Sequence, residues 1–160
     1  MKKVIPNVLT EKEAKYIIEE SRKRSFSTNS LNSVNGPSYK ESDKEKNIFK
    51  KIRNIIENEI GAIDWQKPSY VRVERNGKHG WHFDTGAKAG NYGKGGHMQW
   101  CDYGCSILLT QGDCGELEYR DGTKLNHYLD LAIHTSDEEH RITKYKGERV
   151  TILAFVRSLK

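Results

Sequence analysis

The longest run of helical periodicity in the chain lies between Ile48 and Ile60. Ile48, Phe49, Ile52, Ile55, Ile56 and Ile60 fall on one face at helical spacing. A capping box, Ser42-Asp43-Lys44-Glu45, precedes them, and Gly61 supplies the C-cap. A narrower stripe of Ala14, Ile17 and Ile18 follows a second capping box, Thr10-Glu11-Lys12-Glu13, and predicts a helix to about Arg24. Ahead of it, Val4-Ile5-Pro6-Asn7-Val8-Leu9 reads as an edge strand or docking segment. Residues 25–41, rich in Ser and Asn with Gly36-Pro37, predict a loop longer than a simple connection needs.

From Pro68 the period changes to two. Tyr70-Val71-Arg72-Val73-Glu74-Arg75 alternates polar and apolar, as a half-buried strand does. Val71 and Val73 would face the helices. Tyr70, Arg72 and Glu74 take the other face, which alternation alone assigns equally to a cavity or to solvent. Asn76-Gly77 marks a turn, and a strand carrying His82 and Asp84 follows. Residues 86–96, with lysines among glycines, form a flexible basic loop, either a mobile lid or plain surface. Without a Gly-Lys-Ser/Thr ending it is no phosphate-binding P-loop. Further strands are expected within Met98–Thr110 (Cys105–Thr110 clearest) and over 115–119, 128–133 and 149–157. Turns lie at 111–113, 121–122 and 135–139. The predicted architecture is mainly β with N-terminal helices. It is one domain over 1–160, in which helical support at 10–61 backs a jelly-roll (double-stranded β-helix) core at 68–158 with a ligand pocket between its sheets.

Composition narrows the functional classes. With 160 residues, 35% hydrophobic and 31% charged, the chain suits one domain with a real core and a well-solvated surface. The net charge of +5 is mildly basic. Lys and Arg are interspersed with Asp and Glu, however, which makes a dedicated nucleic-acid face a poor expectation. Cys101, Cys105 and Cys114 are odd in number and lack a Cys-x-x-Cys knuckle, so buried thiols are favoured over a disulfide framework or a zinc site. No stretch is long and apolar enough for a membrane span, and a cytoplasmic protein is expected.

The chemistry centres on Gly80-Trp81-His82-Phe83-Asp84-Thr85-Gly86. On an extended strand His82 and Asp84 point to one side, as two ligands of a 2-His-1-carboxylate triad would. Trp81 would point the other way, into packing. His140 is the candidate third ligand, and Arg149 follows it by nine positions (149 − 140 = 9). A His-x-Asp pair alone is weak evidence, but the four residues together carry more. Arg149 offers a planar fork for a carboxylate. Thr151, on the same strand face, can add a hydroxyl.

In these residues the chain resembles the Fe(II)/2-oxoglutarate-dependent dioxygenases of the prolyl 4-hydroxylase-like group. The resemblance runs from Ile5-Pro6-Asn7-Val8-Leu9-Thr10, through His82-Phe83-Asp84 and Ser106–Thr110, to Gly115-Glu116-Leu117-Glu118-Tyr119, His140 and Arg149. It implies iron held by His82, Asp84 and His140, with 2-oxoglutarate on Arg149, Thr151 and a strand tyrosine. For the tyrosine Tyr70 is the candidate, and Arg72 and Glu74 are then substrate contacts. A second tyrosine common in relatives is replaced by Leu108. The implied reaction hydroxylates a C–H bond and releases succinate and CO2, with ascorbate a candidate reductant. The implied partner is a prolyl residue in a peptide or protein; a small amino acid is an alternative. Two other readings use the same triad. One is an alkylation-repair nucleic-acid demethylase, disfavoured by the lack of a late Arg-x5-Arg pair. The other is a non-catalytic cupin-like metal module.

Overall fold

In the computed structural model, residues 1–23, 31–33, 42–66 and 68–159 are described. Most of the loop expected at 25–41 lies outside them. The elements, in order, are β1 (Lys2–Ile5), α1 (Glu11–Lys23), β2 (Leu31–Ser33), α2 (Asp43–Ile60), β3 (Tyr70–Arg75), β4 (Tyr103–Leu108), β5 (Leu117–Tyr119), β6 (Lys124–Leu125), β7 (Leu131–Thr135), β8 (His140–Ile142) and β9 (Val150–Val156). The strands form a six-stranded antiparallel sheet ordered β1-β7-β4-β9-β3-β2 and a three-stranded one ordered β6-β5-β8.

Both capping boxes form. Thr10 and Glu13 exchange hydrogen bonds of 3.0 and 3.1 Å, as do Ser42 and Glu45, which satisfies amides the helix starts leave unpaired. The Tyr16 hydroxyl meets the Ser42 hydroxyl at 2.8 Å and ties the two helices together.

Strand alternation splits the large sheet into two chemically different faces. Val71 and Val73, Cys105 and Ile107, Leu131 and Ile133, and Val150, Ile152, Ala154 and Val156 pack with Ile17, Ile48, Phe49, Ile52 and Ile56 in one apolar core. The intervening residues, among them Tyr70, Arg72, Glu74, Ser106, His134, Thr151 and Phe155, face a cavity that the small sheet also lines through Leu117, His140 and Ile142. The polar face of β3 is therefore a cavity wall rather than a solvent face.

Three local expectations change. The segment expected at 4–9 divides: its start belongs to the edge strand Lys2–Ile5, paired with β7, and Val8 and Leu9 are buried docking residues. His82 makes only isolated bridges, to His140 and Lys88, because the chain turns after Phe83: the Gly86 amide bonds the Phe83 carbonyl at 2.9 Å, and Gly86 has φ +83°. The strand expected at 128–133 begins only at Leu131, since Leu129 has φ +61°.

Phe49 is fully buried between the helices and the sheet. Phe49→Ala is expected to lower stability by about 3–5 kcal/mol, and the half-buried Ile55→Ala to lower it much less. Urea denaturation of both variants measures the ranking.

Candidate metal centre

His82 and His140 come together through the backbone. Each amide donates to the other's carbonyl at 3.0 Å, a reciprocal antiparallel pair that sets their side chains next to each other on one face. Their ring centroids are 4.4 Å apart. Each ring is then oriented by its own chain. Nδ1 of His82 lies 2.7 Å from the Gly80 carbonyl, and Nδ1 of His140 lies 2.8 Å from the Glu138 carbonyl. A carbonyl can only accept, so both Nδ1 atoms carry a proton; each Nε2 is then the atom turned to the centre, able to bind a metal or, on His140, to donate a second proton to Asp84. Both Nε2 atoms point at Asp84, whose Oδ1 is 3.9 Å from His82 Nε2 and 3.1 Å from His140 Nε2.

The three ligand atoms lie within 4.8 Å of one another, the one such group among the described residues. Two imidazoles and one carboxylate, with open positions beside them, suit a divalent transition metal such as Fe(II). Orientation of the donors by carbonyls is how metal-binding histidines are usually held. The residues therefore fit a metal ion.

The carboxylate has a further partner that sequence reasoning missed. Its second oxygen, Oδ2, takes a 2.5 Å hydrogen bond from His134 Nε2. Nδ1 of His134 in turn receives the Tyr119 hydroxyl at 2.8 Å. Both His134 and Tyr119 are buried. Gly104 makes room for this chain, because a Cβ there would fall 1.7 Å from Asp84 Oδ2 and 2.7 Å from His134 Nε2. The available signal was a histidine inside the otherwise apolar Leu131-Ala132-Ile133-His134. Burial pushes the Asp84 carboxyl up, but His140 and His134 outweigh it and hold it well below the usual carboxylate range. Burial lowers the His82 imidazole to about 4, with His140 adding to the effect. It also pulls His140 down, but there Asp84 prevails and leaves it raised.

The cavity has a volume of about 320 Å³. Arg149 reaches into it and is 2% exposed. Nη1 is spent on the Cys114 and Gly115 carbonyls at 2.7 and 3.0 Å, whereas Nη2 is buried with no hydrogen-bond partner. A strand-end pair between Arg149 and Glu148 does not form, since Glu148 binds Arg22 and Arg75. Thr151 lines the cavity two residues along the same strand.

The register of β3 against β9 fixes the other candidates. Glu74 stands opposite Thr151, Arg72 opposite Leu153 and Tyr70 opposite Phe155. Tyr70 is thus four residues, roughly 13 Å of strand, from the level of Thr151, and Glu74 occupies that level instead. The Tyr70 hydroxyl is 3.4 Å from Arg72 Nη1 and 3.7 Å from Met98 Sδ. Glu74 takes a 2.7 Å hydrogen bond from His79 and stands 3.7 Å from Arg72.

The 86–96 loop is pinned at its base by the Met98 amide on the Thr85 carbonyl, 2.8 Å, and near its tip by the Gly90 amide on Glu139, 2.6 Å. Trp81 is not in the apolar core, for Arg120 and Arg141 sit 3.9 and 4.8 Å from its ring. The three cysteines are buried free thiols and none belongs to the metal group.

No family model matches the chain, and no curated protein sequence does. Solved structures do. The viral collagen prolyl hydroxylase of Paramecium Bursaria Chlorella virus-1, in its 2OG complex, is 16% identical with a TM-score of 0.70, over 99% of this chain and 96% of that one. A Pseudomonas putida prolyl-4-hydroxylase is 12% identical with a TM-score of 0.68, over 99% and 93%. A 2OG-Fe(II) oxygenase family oxidoreductase of Burkholderia pseudomallei is 12% identical with a TM-score of 0.65, over 98% and 84%. The chain shares its fold with these proteins: a jelly-roll of two antiparallel sheets backed by N-terminal helices.

Proposed function

We propose that the protein is an Fe(II)- and 2-oxoglutarate-dependent dioxygenase, working as one domain over residues 1–160, that hydroxylates a substrate C–H bond. The observation that carries this reading is a juxtaposition. A His82/Asp84/His140 triad and a buried guanidinium with one unused nitrogen, Arg149 Nη2, face the same cavity. A metal alone would not call for the second group; a cosubstrate with a remote carboxylate calls for both.

His82 Nε2, His140 Nε2 and Asp84 Oδ1 would hold the iron. Arg149 Nη2, with the Thr151 hydroxyl beside it, would receive the far carboxylate of 2-oxoglutarate. Bound together, iron and 2-oxoglutarate supply the oxidative decarboxylation that activates dioxygen. The chain contributes position. Nδ1–H on each histidine keeps Nε2 available, His134 keeps Asp84 from rotating, and the apolar walls Leu117, Ile142, Leu153 and Phe155 keep bulk water from the reacting centre. A prolyl residue in a peptide or protein is the first substrate to try, because two of the similar structures carry prolyl hydroxylase names. Ascorbate is the natural reductant to include. No helix is long and apolar enough to cross a membrane among the described residues.

Anaerobic addition of Fe(II) and 2-oxoglutarate is expected to produce a visible metal-to-ligand charge-transfer band in wild type and none in His82→Ala. Arg149→Ala is expected to need roughly 30-fold or more additional 2-oxoglutarate, since it removes one partner of a buried charge pair. A folded wild type without the band would sink the reading.

His134 gives a separate test. His134→Leu leaves Asp84 Oδ2 without its donor, so Co(II) affinity by titration calorimetry is expected to fall about 10–100-fold. His134→Gln, which retains a donor, is expected to lose less. Equal affinity in all three proteins would show that His134 does not position the ligand.

A further inference from the structure

A second groove, of about 580 Å³, adjoins the metal cavity and shares His79 and Ile142 with it. Four cationic side chains surround it, Lys78, Lys124, Arg141 and Lys144, and no acidic residue lines it. Lys78, Lys124 and Lys144 make no ion pair among the described residues. Only Arg141 is neutralised, by Glu118 at 2.6 Å. The floor is apolar and fixed. Tyr145 is buried and donates its hydroxyl to the Gly77 carbonyl at 2.6 Å, and the Ile142 amide bonds the His79 carbonyl at 3.0 Å. The groove meets the metal site on its open side: the side chains of His79 and His82 are 35% and 33% exposed, against 6% for His140 and 3% for Asp84.

We propose that this groove docks an acidic stretch of a polypeptide substrate, next to the residue that enters the metal cavity past His79. The inference rests on the dioxygenase reading of that cavity. Three uncompensated ammonium groups around one concavity favour an anionic partner and speed its encounter. A polypeptide suits the groove better than a nucleic acid, because single strands bind where aromatic faces are open to stack on bases. Here Lys78 already lies 3.9 Å over the Tyr145 ring, and Arg120 and Arg141 already pack on Trp81. An apolar floor between cationic rims accepts alternate side chains of an extended chain and their carboxylates together.

The test is fluorescence anisotropy with the Mn(II)- and 2-oxoglutarate-loaded protein. Its probes are a labelled peptide with one proline between glutamate flanks, the same peptide with lysine flanks, and a labelled single-stranded oligonucleotide. The acidic peptide is expected to bind about tenfold or more tightly than the basic one, with an affinity that falls as salt rises. Lys78→Glu, Lys124→Glu and Lys144→Glu together are expected to weaken it about 30-fold or more. Lys12→Glu, Lys15→Glu and Lys50→Glu, an equal change of net charge on the exposed faces of α1 and α2, is expected to change it no more than about threefold. All the reversed lysines are exposed, so both triple variants should fold and keep the Fe(II)/2-oxoglutarate band. Equal binding of acidic and basic peptides, unchanged binding by the groove variant, or displacement of the peptide by the oligonucleotide would each overturn the proposal. Acidic-peptide binding by a wild type that shows no charge-transfer band would uphold the groove and overturn the dioxygenase reading instead.

Discussion

A buried carboxylate that pairs with histidines, and with no Lys or Arg among the described residues, organises this structure. Asp84 is 5% exposed, and an ionised group so placed costs several kcal/mol unless it is compensated. The compensation comes from His140 on one oxygen and His134 on the other. Each depends on a strand: His140 opens β8, and His134 lies on β7 of the opposite sheet. One carboxylate therefore spans the two layers of the jelly-roll. The same charge that a metal would neutralise also holds the sheets in register around the place where the metal would sit. Gly104 belongs to this constraint, because any side chain on β4 at that point would collide with both partners.

The other side of the cavity shows a complementary economy. Arg149 uses one nitrogen on two backbone carbonyls, which anchors the guanidinium, and leaves Nη2 buried without a partner. Burial draws its pKa down from the usual arginine value, yet a guanidinium stays charged even so. An anchored, buried cation with one free donor is pre-organised for a carboxylate, since little side-chain entropy remains to be lost on binding.

Much of the fold was legible because its determinants are local. Capping boxes lie within four residues, helical stripes within one turn, and period-two alternation assigned Val71 and Val73 to the core and Tyr70, Arg72 and Glu74 to the other face. The triad was legible for a different reason: few residue sets do the chemistry that His82, Asp84 and His140 can do together. What escaped were features made by contact across the chain. His134 acts only through Asp84, fifty positions away (134 − 84 = 50), and through the space left by Gly104. The partner at the level of Thr151 is set by how β3 lies against β9, and a strand's own sequence does not encode its neighbour's register. The turn that takes Asp84 out of a regular strand depends on Gly86 at positive φ, which looks in sequence like any loop glycine.

That register also sets the charge of the cavity wall. Glu74 sits opposite Thr151 on the neighbouring strand. Burial pushes its carboxyl up, but the hydrogen bond and charge of His79, with the charges of Arg72 and Arg149, together outweigh this and keep it below the usual range. The cavity thus carries an acid on the β3 wall and, just before β9, a guanidinium with one unpartnered nitrogen. Glu74 and Arg149 are close enough to act on each other, so the acid partly offsets the field of the guanidinium, and the balance between them sharpens as water leaves. Arg72, pulled toward Glu74 and packed on Phe155 at 4.9 Å, keeps the remaining wall close to neutral. The charge of this wall thus follows from where one acid and two guanidinium groups fall on and beside adjacent strands.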